Sequence, residues 1–349
     1  AEKMAEENVS GVFLSQTGGA PESKLISFDV SIGGHEIGEA DLRRALDPAW
    51  LNSQQSEDRT VLHTIPVGYS VDGNRGVRDP RGMFGEKLGV SMHVMTTGAG
   101  AARNLAACAH RCNLEIETQV LSAYASSLSC LVEDERGLGV TCIDMGGGTT
   151  TLSVCFDGEV LHTDCIPVGG EHVTSDIARG LSTPRNFAER LKTLYGSAIP
   201  SPSDDQEVIK VPLVGEEDSD QDRQVPRSML VGIIRPRLEE IFEMVRARLE
   251  AANFDKVAGR RIVLTGGASQ LTGAVELATE FLDKQVRLGR PAPLKGLAES
   301  TNGPAFSTAA GLIAYGLKER GSTWSPTLRN MEASQGRFGR LGSWIRENI

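Results

Sequence analysis

Cys142-Ile143-Asp144-Met145-Gly146-Gly147-Gly148-Thr149-Thr150-Thr151 decides the fold, because the residues after it continue as a second strand. A glycine run after an acidic strand end can open a helix, as in phosphate loops of the Walker or Rossmann kind. Here Leu152-Ser153-Val154-Cys155-Phe156 is β-rich, Asp157-Gly158 is a strong hairpin turn, and Glu159-Val160-Leu161-His162 runs back. The pattern predicts strand, glycine turn, strand, so that phosphate is held at a hairpin tip. The glycines are expected to supply positive φ and close backbone approach, with Thr149 and Thr150 adding hydroxyl donors. Asp144, at the strand end, is placed to orient a magnesium-bound water and is the candidate catalytic group.

A chain of 349 residues is long enough for two domains, and a 40% hydrophobic fraction supports real cores. The net charge of −10 and pI near 5.2 argue against nucleic acid as a partner, since phosphate neutralisation needs a basic face. No run of about 18 apolar residues occurs, so no segment is predicted to span a membrane. Ala1–Asn8 reads as part of a helix rather than a signal peptide. The six cysteines (Cys108, Cys112, Cys130, Cys142, Cys155, Cys165) are all expected in the core of one domain as buried, reduced thiols. Cys108-x-His110-x-Cys112 lies in a helical pattern without a second ligand pair, so no metal is assigned to it.

Along the chain, a short strand at Val9–Gln16 precedes a small α+β segment. That segment has alternating runs at Leu25–Val30, Val61–Ile65 and Val90–Val94 around a helix at Glu39–Ala49. Helix is expected at Ala99–Arg111, strand at Glu115–Leu121, and a helix of small residues at Ala123–Leu131. Beyond the glycine hairpin come helices at His172–Leu181 and Arg185–Tyr195, the second capped by Thr183 with Pro184 in its first turn. Ala198–Gln224 is acidic and turn-rich around a strand at Val208–Val211. A long helix follows at Arg237–Asn253, a strand at Arg261–Leu264, and helices at Thr272–Leu282 and Ser307–Lys318. Alternating β and α elements with an inserted α+β segment indicate an α/β protein of two lobes.

Two further elements join the glycine hairpin as a nucleotide site. Val263-Leu264-Thr265-Gly266-Gly267-Ala268-Ser269 is strand, glycine pair, helix, and the backbone of Gly266, Gly267 and Ala268 can lie against an adenosine or an α-phosphate. On the helix Ala188-Glu189-Arg190-Leu191-Lys192, Glu189 can accept both ribose hydroxyls and Lys192, one turn on, would flank the base. The same pair also suits a simple salt bridge on a helix face.

In this order and spacing the elements resemble the bacterial FtsA family of actin-like ATPases. The likeness runs along nearly the whole chain: Val61-Leu62-His63-Thr64-Ile65-Pro66, Glu133-Asp134-Glu135-Arg136-Gly137-Leu138-Gly139, the glycine hairpin, Val173-Thr174-Ser175-Asp176-Ile177-Ala178, Leu264–Ala268 and Ser307-Thr308-Ala309-Ala310-Gly311-Leu312. Val120–Ser126 also resembles the segment that connects the lobes of actin. The resemblance implies a two-lobed actin-like (ribonuclease H-like) fold with an inserted α+β subdomain called 1C. Its implied divisions are 1–17 and 92–167 for subdomain 1A, 18–91 for 1C, 168–306 for 2A and 2B, and 307–321 for a return to 1A. A flexible linker (322–335) and an amphipathic C-terminal helix (336–349) complete the chain.

The same resemblance implies ATP and Mg2+ as ligands with at most weak hydrolysis, and self-association into filaments. It also implies a cytoplasmic position at the septal inner membrane, contact with the C-terminal peptide of the ring protein FtsZ, and contact with other division proteins. Arg227 and Arg237 match arginines used for the FtsZ contact, the first within Val-Pro-Arg-Ser and the second within Arg-Pro-Arg. The first phosphate hairpin of the family would precede Ala1, so this chain is expected to grip nucleotide from one side and bind Mg-ATP weakly.

At ~100° per residue, Phe338, Leu341, Ile345 and Ile349 fall on one stripe with Trp344 at its edge, flanked by Arg340 and Arg346. That pattern suits an interfacial helix on anionic lipid, the polar linker before it weakening the alternative of docking on its own core. A metabolic kinase of the same superfold is the second reading. It would need a catalytic base and a small-substrate pocket and would not need a tethered amphipathic tail. A chaperone-type ATPase is a third, against which stands the lack of a β-rich substrate domain after the nucleotide lobes.

Overall fold

The computed structural model describes residues 6, 8–46, 58–215, 223–256, 259–292 and 299–321. They fall into two compact units, one of the described residues within Ala1–Tyr124, Glu159–Thr163 and Leu312–Ile349, the other of those within Ala125–Gly158 and Asp164–Gly311.

In the first unit, β1 (Gly11–Gln16) pairs in parallel with β6 (Glu115–Leu121). Between them lies an antiparallel sheet of β2 (Glu22–Ser31), β3 (Arg59–Val71), β4 (Asn74–Val77) and β5 (Lys87–Gly98), in the order β2-β5-β3-β4. Period-two alternation puts Leu88, Val90, Met92 and Val94 on one face of β5, where they pack with Ile26 and Phe28 of β2 and with Ile37 and Leu42. Leu42 belongs to α1 (Glu39–Ala45), which covers that face. α2 (Ala99–Arg111) carries the chain from β5 to β6.

The opposite face of β5 holds His93, fully buried between polar partners. The Thr163 N–H donates to Ser23 Oγ (3.1 Å), the Ser23 hydroxyl donates to His93 Nε2 (2.6 Å), and Nδ1–H donates to the Val160 carbonyl (2.7 Å). The carbonyl can only accept, so the proton sits on Nδ1. Burial lowers the His93 pKa to about 3. His63 is likewise neutral: the Leu121 N–H donates to its Nε2 (3.0 Å), and its ring meets Tyr124 and Tyr315 edge-on at 5.1 and 5.7 Å. Burial brings its pKa to about 4.

In the second unit β13 (Gln285–Leu288), β12 (Arg261–Thr265) and β7 (Val140–Met145) run parallel, and β8 (Thr150–Phe156) returns antiparallel beside β7. Every residue of β7 is buried, as expected of a strand covered on both faces. Asp157 and Gly158 both have positive φ, the turn their sequence predicts, and lead into β9 (Glu159–Ile166). α3 (Ser122–Cys130) and α4 (Glu133–Leu138) precede β7. α5 (Gly170–Leu181), α6 (Arg185–Tyr195), the pair β10 (Val208–Val211) and β11 (Arg223–Pro226), α7 (Arg227–Ala251) and α8 (Ala274–Leu282) come after it, and α9 (Ser307–Gly321) begins in this unit and belongs to the first from Leu312 on. Beneath the sheet the Glu135 carboxylate, 4% exposed, accepts both arms of Arg287 at 2.7 and 2.6 Å.

Several expectations need correction. The long helix begins at Arg227, ten residues before Arg237, because α7 runs through Pro236. That proline faces solvent, as does Gly232 one turn earlier, so water can take the carbonyl that the missing N–H leaves free. Leu230, Ile234, Leu238, Ile241, Phe242, Val245 and Leu249 keep the buried stripe continuous across it. Thr183 is not an N-cap; Pro184 takes that position and the Thr183 hydroxyl donates to the Pro212 carbonyl (2.7 Å). The cysteines do not share one core either. Cys108 and Cys112 are exposed on and just after α2 in the first unit, while Cys130, Cys142 and Cys155 are buried in the second. No cluster of metal-ligating side chains exists among the described residues. Ala1–Asn8 lies almost wholly outside the described residues.

Candidate functional site

The end of β7 places Asp144 opposite Thr265 on the parallel neighbour β12 and opposite Thr151 on the antiparallel neighbour β8. The residue is buried, 9% exposed. Ser126 of α3 and Thr308 of α9 both donate to Oδ2, at 2.5 and 2.9 Å, and no described residue donates to Oδ1. Burial raises the Asp144 pKa and outweighs these two hydrogen bonds, which act the other way.

Gly266 follows Thr265 with φ +89°, and a Cβ there would stand 2.3 Å from Asp144 Oδ1 and 2.4 Å from the Met145 carbonyl oxygen. Only glycine fits, by dihedral and by room. Gly267, Ala268 and the next two residues form a single 3-10 turn, and α8 starts only at Ala274.

The glycine hairpin closes as predicted, the Gly146 N–H donating to the Thr149 carbonyl (2.9 Å). Its glycines are there for a different reason than expected. None of Gly146, Gly147 and Gly148 has positive φ. Close packing bears on Gly146 and Gly147, where a Cβ would stand 3.1 Å from the Thr149 carbonyl oxygen and 3.3 Å from Glu171 Cγ, while one on Gly148 meets open space; the tightest packing lies opposite, where the start of α5 meets the loop. Gly170 N–H donates to the Gly146 carbonyl (2.9 Å) and Glu171 N–H to the Gly147 carbonyl (2.8 Å). A Cβ on Gly169 would come within 2.6 Å of both of those oxygens, and one on Gly170 within 2.9 Å of the Ala268 Cβ. Thr150 is fully buried and its hydroxyl donates to the Val168 carbonyl (2.8 Å), so it is not a free donor at the tip. Thr149 is half-buried, and Gly147 and Gly148 are exposed.

Glu189 and Lys192 stand beside this turn cluster. Lys192 Nζ donates to Glu189 Oε2 (2.6 Å), Thr174 Oγ1 (2.9 Å) and the Gly170 carbonyl (3.1 Å), which occupies all three of its protons. Thr174 in turn donates to Glu189 Oε2 (2.5 Å). Burial pushes the Glu189 pKa up, but the hydrogen bonds from Lys192 and Thr174 prevail and hold it below the ordinary value. The salt bridge and the siting near the glycine turns thus coexist.

Sequence reasoning missed Gly169, Gly170, Ser126, Thr308 and Thr174. Val168-Gly169-Gly170 was legible as a second glycine pair after a strand, but nothing local assigns Ser126 or Thr308 to a carboxylate so distant in the chain.

Arg227 donates to Asp204 (2.6 Å) and to the Tyr195 carbonyl (2.8 Å), with Glu207 at 3.5 Å. Arg237 donates to Asp176 (2.5 Å) and pairs with Glu240. Both guanidinium groups are therefore paired with acids of their own chain. Phe338, Arg340, Leu341, Trp344, Ile345 and Arg346 lie outside the described residues.

The family model for the cell division protein FtsA matches residues 141–311, and the model for the SHS2 domain inserted in FTSA matches residues 18–96. Over 355 residues the chain is 44% identical to the FtsA of Rhizobium meliloti strain 1021, covering 100% of this chain and 79% of that one. The chain belongs to the FtsA family. Its identity to the FtsA of Pseudomonas aeruginosa is 36% and to that of Escherichia coli K12 34%, each over 100% of this chain and 84% of the relative. Among solved structures, the PilM-PilN type IV pilus biogenesis complex aligns with TM-score 0.60 at 18% identity, over 90% of this chain and 82% of that one. MreB5 of Spiroplasma citri bound to ADP aligns with TM-score 0.51 at 16% identity, over 64% and 67%. The fold is the actin-like ATPase fold with an inserted SHS2 domain, and the function of this FtsA-family chain is in cell division. No described helix is long and apolar enough to cross a membrane.

Proposed function

We propose that this FtsA-family chain binds ATP with magnesium at the turn cluster of its second unit. The observation that carries the reading is the convergence of three backbone turns, Gly146–Thr149, Gly169–Gly170 and Gly266–Ala268, around the buried Asp144. The cleared space suits a ligand. A Cβ at Gly148 would meet nothing within 4 Å, and one at Gly267 only Ala305 at 3.9 Å. Gly146, Gly147, Gly148 and Thr149 would offer the phosphates backbone N–H groups and a hydroxyl, and Thr150 its backbone alone. Gly266, Gly267 and Ala268 would line the adenosine side, with Glu189 on the ribose hydroxyls and Lys192 beside the base. Asp144 Oδ1 would orient a water of the bound magnesium, whose charge would offset that of the phosphates. Hydrolysis is expected to be weak at most.

The test is calorimetric titration of Mg-ATP into the chain and into its Gly148→Ala variant, whose added Cβ meets nothing within 4 Å in the chain. Heat from the first and none from the second supports the site. Equal binding rejects it.

On this reading the chain polymerises at the cytoplasmic face of the inner membrane at the septum, anchors the FtsZ ring and recruits later division proteins. Subdomains 1A, 1C, 2A and 2B would follow the divisions that the family resemblance implies, with 336–349 as the membrane-targeting helix. The FtsZ C-terminal peptide would engage Arg227 and Arg237 by displacing their exposed partners, Glu207 and Glu240, an arginine fork suiting a peptide carboxylate. Charge reversal of both arginines should abolish binding of that peptide; retained affinity would remove them from the contact.

A further inference from the structure

Ser126 and Thr308, which meet on Oδ2 of Asp144, belong to a wider contact between α3 and α9 within the second unit. The two hydroxyls stand 2.9 Å apart, and Ser129, one turn after Ser126, donates to the Ser307 carbonyl (2.7 Å). A Cβ on Gly311 would stand 1.9 Å from the Ala125 carbonyl oxygen, so only glycine lets the two backbones come this close. The pairs Ser129–Ser307, Ser126–Thr308 and Ala125–Gly311 run in opposite directions along the two helices. Ser307 is anchored in turn, its hydroxyl 2.6 Å from Thr265 Oγ1, and Thr265 is the residue opposite Asp144 on β12. Ser126, Ser129 and Ser307 are all buried.

The last torsion of an aspartate is broad and roughly two-fold, so its own rotamer preference does not fix the plane of the carboxylate. Here two donors from two different helices converge on one oxygen, which does fix it. Both are neutral hydroxyls, so they orient the group without cancelling its charge. The other oxygen, Oδ1, is left beside Gly266, where a side chain of any size would displace it.

We propose that Ser126 and Thr308 are positioning residues for Asp144, holding Oδ2 from α3 and α9 so that Oδ1 is presented at the Gly266 turn. The close approach of Ala125 and Gly311 keeps both donors within reach of one oxygen. The consequence for magnesium rests on the proposed nucleotide site. A carboxylate locked by its hydrogen-bond partners meets a magnesium-bound water without reorganising first. One that has lost those partners turns freely, while the backbone turns still hold the nucleotide.

The orientation is read first without nucleotide, from crystal structures of the wild type and of the double variant Ser126→Ala, Thr308→Val. The variant's carboxylate plane should rotate off Gly266 while the Gly146–Thr149 and Gly266–Ala268 turns stay in place. A carboxylate that keeps its wild-type plane overturns the proposal. Calorimetry then compares Mg-ATP with magnesium-free ATP. Each single variant should lose about tenfold in Mg-ATP affinity, with magnesium-free affinity within about twofold of wild type, as for the loss of a partner that orients a metal-site group. Thr308→Ser, which keeps the hydroxyl, should restore the wild-type ratio. Unchanged Mg-ATP affinity, equal losses with and without magnesium, or no rescue by Thr308→Ser would each overturn the positioning role. A wild type that binds no nucleotide, or binds it without regard to magnesium, beside a variant whose carboxylate has turned, rejects the magnesium-nucleotide reading and upholds the positioning. Should the double variant fail to fold, Ser126→Ala alone is read in the same way by both experiments.

Discussion

Two glycines of the turn cluster separate fold from function at the level of one Cβ. At Gly266 the left-handed φ and the 2.3 Å approach to Asp144 Oδ1 act together. Gly266→Ala should therefore destabilise the chain by about 2–4 kcal/mol, read as a lowered midpoint of thermal unfolding. Gly148→Ala meets nothing, so its midpoint should stay within roughly 0.5 kcal/mol of wild type while Mg-ATP affinity falls. Asp144 carries the opposite trade. Its folded pKa is raised, so its ionised form costs stability above that pKa, and the cost disappears as pH falls toward the unfolded value of 3.8. Asp144→Asn should accordingly be more stable than wild type at neutral pH, on the order of 1 kcal/mol, and the gap should close in acid. A denaturant series across pH checks this; a variant less stable at neutral pH would contradict it.

Between elements, two polar anchors titrate in different windows. Glu135 joins α4 to Arg287 of β13, and Val132 N–H also donates to it (3.2 Å). Burial raises its pKa, but the bonds from Arg287 and Val132 prevail and leave it lowered. Its contribution is present above the unfolded value of 4.5 and is lost as pH falls through the folded pKa. Glu135→Ala should cost about 2–3 kcal/mol in chemical denaturation. That is below the usual cost of breaking a buried pair, because the Arg287 side chain, 33% exposed, can turn to water.

His63 and His93 act at higher pH. Both are buried neutral with pKa near 4 and 3, against 6.5 unfolded, so the native state binds fewer protons than the unfolded chain. The first unit is expected to be fully stable above about pH 6.5 and to lose several kcal/mol as pH falls toward 4, with Thr163–Ser23–His93–Val160 broken at the low end. His93→Gln should flatten the upper part of that profile. An unchanged slope would mean that the imidazole is not held neutral.

For the whole molecule, the inserted domain and the two units organise the chain, while the membrane expectation rests on residues 336–349. A helix there would present five apolar side chains, worth roughly 1.5–3 kcal/mol each when buried. Deleting 336–349, or Trp344→Glu, should abolish sedimentation with anionic vesicles. Full binding after deletion would place the membrane contact elsewhere.

Much of this was legible because the signals are local. Ala99–Arg111, Glu115–Leu121, Arg185–Tyr195 and Val208–Val211 form where their periodicity predicts, and Asp157-Gly158 turns as its dihedral preference requires. The same holds for the glycine hairpin at Gly146, whose two flanking strands are readable from the residues on either side of it. Tertiary structure decided the rest. Pro236 stays inside α7 because a buried stripe on the other face outweighs one lost hydrogen bond. The cysteines divide by exposure, Cys108 and Cys112 lying on and just after α2 while Cys130, Cys142 and Cys155 are buried in the second unit, because burial is set by contacts between distant segments. Gly169 and Gly170 matter because a helix start packs on a loop, and Asp144 is held by Ser126 and Thr308, 18 and 164 residues away. Dihedral preference and period belong to neighbouring residues and can be read in order. Burial, close approach and the partner of a carboxylate depend on contacts between distant segments, which exist only once the chain has folded.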